Sequence, residues 1–313
     1  MIALMPMVAT IARARTLLYR LLAAAFVLAA LASPSSAGPV EDGSAAYVRG
    51  DYEAALRLLR APAEQGNADA QLLLGMMYHD GEAVPKDYAE AARWMRKAAE
   101  QDNVLAEASL GAMYFQGEGV PKDEAAAVRW LEKAARQGAA PAQFILARMH
   151  EDNGKYAEAL KWYRLLAGRG DADSQNDVGR FYETGRGVAR NYAEAAKWYR
   201  LAAANGQADS QYSLGMFYFN GTGVQQSDAE AAKWFRLAAD QGNAEAQNDL
   251  GTLYAKGRGV PRDEVQAYIW FALSAAQDNP PAAKNRDAAA AAMTPAQIAE
   301  ADKLVRAWKP KSP

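Results

Sequence analysis

The sequence predicts an all-α protein: a solenoid of stacked helical hairpins closed by a C-terminal helical cap. Three observations lead there. First, six of the seven tryptophans (Trp94, Trp130, Trp162, Trp198, Trp234 and Trp270) follow one another at steps of 36, 32, 36, 36 and 36 residues. A fixed period of this length marks stacked repeats, each burying its apolar face only against its neighbours. Second, the segment around each Trp has one composition. Alanine stands three positions before it, at Ala91, Ala127, Ala159, Ala195, Ala231 and Ala267, and five positions after it, at Ala99, Ala135, Ala167, Ala203, Ala239 and Ala275. The residue following the Trp is always large and apolar: Met95, Leu131, Tyr163, Tyr199, Phe235 and Phe271. The spacing i, i+3, i+4, i+8 is one stripe of a 3.6-period helix. Third, a Gly-x-Gly-Val loop precedes four of these helices, at Gly117–Val120, Gly185–Val188, Gly221–Val224 and Gly257–Val260.

The first 37 residues are of another kind. Arg13, Arg15 and Arg20 precede an apolar run of 12 residues, Leu21–Ala32, and no acid occurs before Glu41. Ser35-Ser36-Ala37 then places small residues at a cleavage site. This is the pattern of a secretory signal peptide. The run is shorter than the roughly 20 residues that span a bilayer. We expect cleavage after Ala37 and a periplasmic or secreted product, with the membrane involved only in export. Removing three arginines takes the net charge from −2 to −5. An acidic balance argues against a nucleic-acid partner. The chain has no cysteine, so packing alone must hold it together, and thiolate zinc, iron–sulfur and thiol chemistry are excluded.

Next comes a short helix over Glu41–Gly50 and a first, partial copy of the Trp helix from Asp51, with Leu58 where the Trp would be and Pro62 in its last turn. Six further repeats follow to residue 278. In the first of them, helix Ala68–His79 carries Ala70, Leu74, Gly75 and Tyr78. A loop leads from it to Asp87, which opens the Trp helix. Asp87, Asp123, Asn191, Ser227 and Asp263 are expected N-caps, worth about 1 kcal/mol each over Ala. Glu90, Glu194, Glu230 and Gln266 stand where they could complete capping boxes. In the loop, the first Gly closes the helix in the left-handed conformation and the second keeps the turn tight. The repeat after Gly138 is four residues short, and a tighter turn with a local change of curvature is expected near Asn153. After Asp278 a helix from Asn279 through the alanine tract to Met293, and a last one over Ile298–Trp308, form the cap. The domains are thus 1–37, 38–278 and 279–313.

The pattern A-x-x-x-L-G-x-x-Y-x-x-G-x-G-V-x-x-D followed by A-x-x-W-x-x-x-x-A closely resembles the Sel-one-like repeat, a subclass of tetratricopeptide-like repeats, over about 44–278. The resemblance implies a right-handed α/α superhelix that acts as an adaptor for another protein or peptide. Many bacterial members of that family are exported. Some are discussed as penicillin-binding or β-lactamase-like proteins, but those are disulfide-rich.

No catalytic or metal-binding constellation emerges, and no cofactor is expected. His79 and His150 lie far apart in sequence, and the Gly-x-Gly loops follow no strand and lack the Lys-Ser/Thr of a phosphate loop. The informative positions are those that vary on the first helix of each repeat. The resemblance places that side of the helix in a concave groove. The candidate partner-binding residues there are Leu72, Met76, Phe115, Phe144, Arg148, Arg180, Tyr212, Met216 and Phe219; exposed apolar groups mark partner surfaces. We expect a monomeric binding adaptor of the cell envelope and not an enzyme. The rival readings are a cell-wall hydrolase or penicillin-binding-like enzyme, and a structural module that associates with itself.

Overall fold

The computed structural model describes residues 38–312. The predicted signal peptide lies outside them. Among the described residues there are sixteen helices and no strand. They fall into two compact units, one ending at Gly154 and one beginning at Lys155.

The first unit holds α1 (Pro39–Arg49), α2 (Tyr52–Glu64), α3 (Ala68–Asp80), α4 (Tyr88–Ala99), α5 (Val104–Gln116), α6 (Glu124–Arg136) and α7 (Ala140–Asp152). The second holds α8 (Tyr156–Ala167), α9 (Ala172–Thr184), α10 (Tyr192–Ala204), α11 (Ala208–Asn220), α12 (Asp228–Asp240), α13 (Ala244–Lys256), α14 (Glu264–Ala275), α15 (Pro280–Ala290) and α16 (Pro295–Ala307). Within each unit every helix packs on the next in sequence from α1 to α7 and from α8 to α15. The cap is shorter than expected at α15, which ends at Ala290 rather than Met293. α16 packs on α14, where the Tyr268 hydroxyl donates to Asp302 at 2.8 Å. The tail then runs back: the Lys311 backbone N–H donates to the Asp240 carbonyl at 2.8 Å, and its Nζ reaches the Asp240 carboxylate at 2.9 Å.

The small-residue rule explains the packing. Ala91, Ala127, Ala159, Ala195, Ala231 and Ala267 are all fully closed. The deepest large side chain of each second helix is the one after the Trp. Tyr163, Phe235, Met95 and Leu131 are at most 1% exposed, and each such burial is worth about 1.5–3 kcal/mol. This side chain abuts the first helix where it carries glycine. A Cβ on Gly111 would meet Leu131 at 2.7 Å, on Gly179 Tyr199 at 2.7 Å, and on Gly215 Phe235 at 2.5 Å. The Trp itself is less deep than the periodicity suggests. Trp94 and Trp270 are buried, whereas Trp130, Trp162, Trp198 and Trp234 are half-buried.

The five expected N-caps all form; Asp123 accepts from the Ala126 backbone N–H at 2.9 Å, for example. The capping boxes expected of Glu90, Glu194 and Glu230 do not. Those carboxylates turn to Arg93, Lys197 and Lys233, three residues on. The reason is local. The backbone N–H of each N-cap already donates to the carbonyl of the repeat's tyrosine, Asp87 to Tyr78 at 2.9 Å and Asn191 to Tyr182 at 2.9 Å. No orphan donor remains for the glutamate, which gains more from a charged neighbour. The box expected of Gln266 does not form either, and among the described residues only Thr294 and Gln297 make a reciprocal one.

The second loop glycine does more than tighten a turn. Gly119 has φ +67°, and a Cβ there would lie 1.8 Å from the Tyr88 carbonyl oxygen, at the start of the preceding repeat's second helix. Gly187, Gly223 and Gly259 stand against Tyr156, Tyr192 and Asp228 in the same way. The short loop of the deviant repeat has no such glycine. Gly154 meets open space, and the Asn153 amide donates to the Glu124 carboxylate instead.

A buried glutamine ladder ties successive repeats. Gln71, Gln143, Gln175, Gln211 and Gln247 each donate to a carbonyl eight residues earlier, at the end of the previous second helix. Their own carbonyls accept from Gln101, Asn205, Gln241 and Gln277 where these partners occur. A buried amide satisfied on both sides costs little and fixes register.

Candidate protein-binding face

The variable positions of the first helices divide between closed and half-open. In the first unit Leu72 and Met76 are 5% and 4% exposed and belong to the core. They offer nothing to a partner, which corrects their assignment to an open groove. The physical reason is that both join the core cluster that runs from Ala46 and Tyr47 of α1 to Leu110 and Met113 of α5. Phe115 is half-buried, with the Lys122 ammonium 5.7 Å from its ring centre. Phe144 is half-buried, and Arg148 lies 3.6 Å from Glu151.

In the second unit Arg180 pairs with Asp177 at 2.7 Å and lies over the Phe181 ring. Tyr212, Met216 and Phe219 are half-buried on α11 and pack against the core around Phe235. The ring centres of Tyr212 and Phe219 lie 5.7 and 6.5 Å from that of Phe235. The Tyr212 hydroxyl donates to Asp249 at 3.3 Å, and the Asn248 amide donates to the same carboxylate at 3.2 Å. Asn285 of the cap then donates to Asn248 at 2.9 Å. Burial raises both the Tyr212 phenol and the Asp249 carboxyl, the latter against the lowering effect of its two hydrogen bonds. Over Phe219 lies the Arg258 guanidinium at 4.5 Å, held by two bonds to Asp228 at 2.8 and 2.9 Å. The face is therefore a set of rings standing on the core, bordered by Arg258 and a small polar network. The sequence reading missed Asp249, Asn285 and Arg258, because each comes from a neighbouring repeat or the cap.

A second cluster, also missed, sits in the first unit. His79 is 3% exposed, with Nδ1 2.6 Å from Asp80 and Nε2 3.2 Å from Glu118 in the next loop. The Tyr88 ring stands edge-on at 5.0 Å. Close by, burial raises the Glu82 carboxyl, against the lowering effect of Tyr52 and Tyr47, and raises the Tyr47 phenol. A carboxylate on each ring nitrogen makes His79 a crosslink between loop and helix rather than a base facing a substrate. Among the described residues no group of His, Asp and Glu could hold a metal ion, and no helix is long and apolar enough to cross a membrane.

Comparison with known proteins fits the repeat frame. The Sel1 repeat profile matches seven successive segments: 37–67, 68–103, 104–138, 140–171, 172–207, 208–243 and 244–279. Among solved structures, the chain is similar to a Sel1 repeat protein from Oxalobacter formigenes, with 31% identity, a TM-score of 0.63, 76% of this chain and 97% of that one covered. It is also similar to c5321, a protective antigen of uropathogenic Escherichia coli strains with an SLR fold, at 32% identity and a TM-score of 0.52. That match covers 82% of this chain and 63% of the antigen. Comparison with curated proteins gives no match. Proteins built of these repeats generally mediate protein–protein interaction and are typically non-catalytic scaffolds. With all seven repeats matched and the helical stack formed, the chain belongs to the Sel1 repeat family.

Proposed function

We propose that the protein is an exported adaptor of the cell envelope that binds a protein or peptide on the first-helix face of its second unit. The observation that carries this reading is the group Tyr212, Met216 and Phe219, three large side chains seated on the core but half-open. The preceding repeat has Asn176, Arg180 and Glu183 at these places and the following one Asn248, Thr252 and Ala255. A shared packing role would not tolerate that range, so the apolar choice is local. Aromatic and arginine anchors carry most of the energy at protein interfaces. Arg180, paired with Asp177, belongs to the same helix face one repeat earlier. In the first unit, taken by itself, Phe115, Phe144 and Arg148 hold the equivalent positions.

Export rests on the Arg-rich start and on Ser35-Ser36-Ala37. N-terminal sequencing of the native protein should find Gly38 first; an intact residue 1–37 segment would remove the envelope assignment. For the binding face, envelope extract is passed over immobilised wild type and a Met216→Gln variant, and the captured proteins are compared. Met216 makes none of the polar bonds of its neighbours, so its change tests the surface with least effect on the fold. Loss of a specific captured protein with an unchanged helical melt supports the reading. Equal capture by both proteins would place binding elsewhere.

A further inference from the structure

The second helices of the second unit carry an outward ridge that the first-helix reading leaves unused. Leu165, Leu201 and Leu237 are 50%, 50% and 46% exposed, at the same place in three consecutive repeats. Each follows a half-buried Trp by three positions (Trp162, Trp198 and Trp234), so the two share a helix face. In the first unit that place holds Lys97 and Lys133, whose ammonium groups lie 4.5 and 5.5 Å from the rings of Trp94 and Trp130. Leucine removes the cationic cover and extends the indole into an apolar strip.

Charge runs beside the strip. Arg164, Arg200 and Arg236, each next to one of the leucines, donate to the hydroxyls of Tyr182, Tyr218 and Tyr254. A phenol hydroxyl is neutral and leaves the guanidinium charge unopposed. Lys197 and Lys233, by contrast, already pair with Glu194 and Glu230.

The last repeat shows what such a strip accepts. The equivalent leucine, Leu273, is 6% exposed, and Ile269 at the place of Lys233 is 7% exposed. There α15 and α16 pack on α14. α16 is amphipathic: Ala301 is buried, Ile298, Val305 and Trp308 pack on the same core, and Asp302 accepts from Tyr268. An amphipathic helix carrying an acid thus takes part in closing this surface in the last repeat.

We propose that the strip formed by Trp162, Leu165, Trp198, Leu201, Trp234 and Leu237 docks an acidic amphipathic helix of a partner protein. Its apolar face lies on the leucines and its carboxylates on Arg164, Arg200 and Arg236. This surface is on different helices from the first-helix face and stands independently of it.

The test uses the full chain and a labelled synthetic amphipathic helix of about 18 residues, with Leu at helical spacing and Glu elsewhere. A counterpart carries Lys for Glu. The combined variant Leu165→Lys, Leu201→Lys, Leu237→Lys reproduces the residues of the first unit, so the helices should form; Leu201→Lys alone serves if it does not fold. By fluorescence anisotropy the acidic helix should bind wild type, the basic one should not, and the triple variant should lose at least about tenfold in affinity with an unchanged melt. Met216→Gln should bind the acidic helix like wild type. No binding, equal binding to the triple variant, or loss on Met216→Gln would overturn the proposal. So would sedimentation of wild type, but not the variant, with anionic phospholipid vesicles in the absence of peptide binding. A wild-type dimer that the variant breaks in light scattering would overturn it in favour of a second copy of this chain.

Discussion

Lys133 reaches across to Glu107, its Nζ 2.7 Å from a carboxylate that is fully closed from solvent. Glu107 stands where the other repeats carry the ladder glutamine. A carboxylate cannot donate to the preceding helix end, and the lysine amine takes that role, 3.5 Å from the Ala99 carbonyl and 2.5 Å from Asp102. Gln137 supplies the remaining donor to Glu107 at 2.9 Å. Lys133→Leu should therefore cost about 3 kcal/mol, at the low end for a buried pair broken from one side because the lysine is half-exposed. Adding Glu107→Gln to that variant rebuilds the ladder and should recover most of the loss. Chemical denaturation of the four proteins of the cycle measures this; an additive cycle would show that the two residues do not depend on each other.

The loop glycines yield an opposed pair. Ala83 occupies the place of Gly119 with φ +56°. Ala83→Gly relieves a left-handed alanine and should gain about 1 kcal/mol. Gly119→Ala drives a methyl into the Tyr88 carbonyl and should lose more than about 3 kcal/mol, as a strained backbone meets an overpacked contact. Thermal melts of the two variants should move in opposite directions.

Tyr199 and Trp198 separate depth from size. Tyr199 is 2% exposed and its hydroxyl donates to Glu183 at 2.5 Å. Trp198 is half-buried, and its indole Nε1 meets no acceptor among the described residues. Tyr199→Ala should cost about 3–5 kcal/mol, the range for deleting a closed aromatic, and more than Trp198→Ala. Lys197→Ala should stay within about 0.5 kcal/mol. Urea midpoints rank the three; a larger loss at Trp198 would put the Trp back at the centre of the core.

Asp249 makes stability pH-dependent. Burial raises its carboxyl in the folded state, so the folded chain holds the proton more tightly than the unfolded chain. Such a group supports folding fully below the unfolded carboxylate range, and that support is lost as pH rises through the raised folded value. Asp249→Asn, which can still accept from Tyr212, should thus be more stable than wild type at pH 7, with the advantage shrinking toward pH 3. Melts across that range check the sign; an advantage that grows on acidification would contradict it.

The frame was legible because it is periodic. The alanines beside each Trp, the five N-caps and the loop glycines recur at one spacing, so each copy supports the reading of the others. What periodicity hid was depth. A Trp repeated in six successive hairpins suggests the core, yet the residue after it, which changes from Met95 to Tyr163 to Phe235, is the one fully closed. The first-helix face was legible in part. Tyr212, Met216 and Phe219 stood out by contrast with their neighbours, but Leu72 and Met76 are closed into the core, a depth that the sequence does not announce. Asp249 and Arg258 reach their partners from the next repeat, and His79 meets Glu118 across 39 residues, a distance unrelated to the period. The leucines at 165, 201 and 237 carried the 36-residue spacing in plain view. Spacing alone does not say that they are exposed.

Some of the ties between repeats within each unit have a direction. Gly119 needs the backbone of Tyr88, Gln71 needs the Ala63 carbonyl, and Arg258 needs Asp228; in these three the later repeat leans on the earlier, whereas the arginine-to-tyrosine bonds run the other way. A ribosome delivers the earlier repeat first. Each hairpin, as it emerges, meets the acceptors of its loop glycine and ladder glutamine already in place, so these ties can form in the order in which the chain is made.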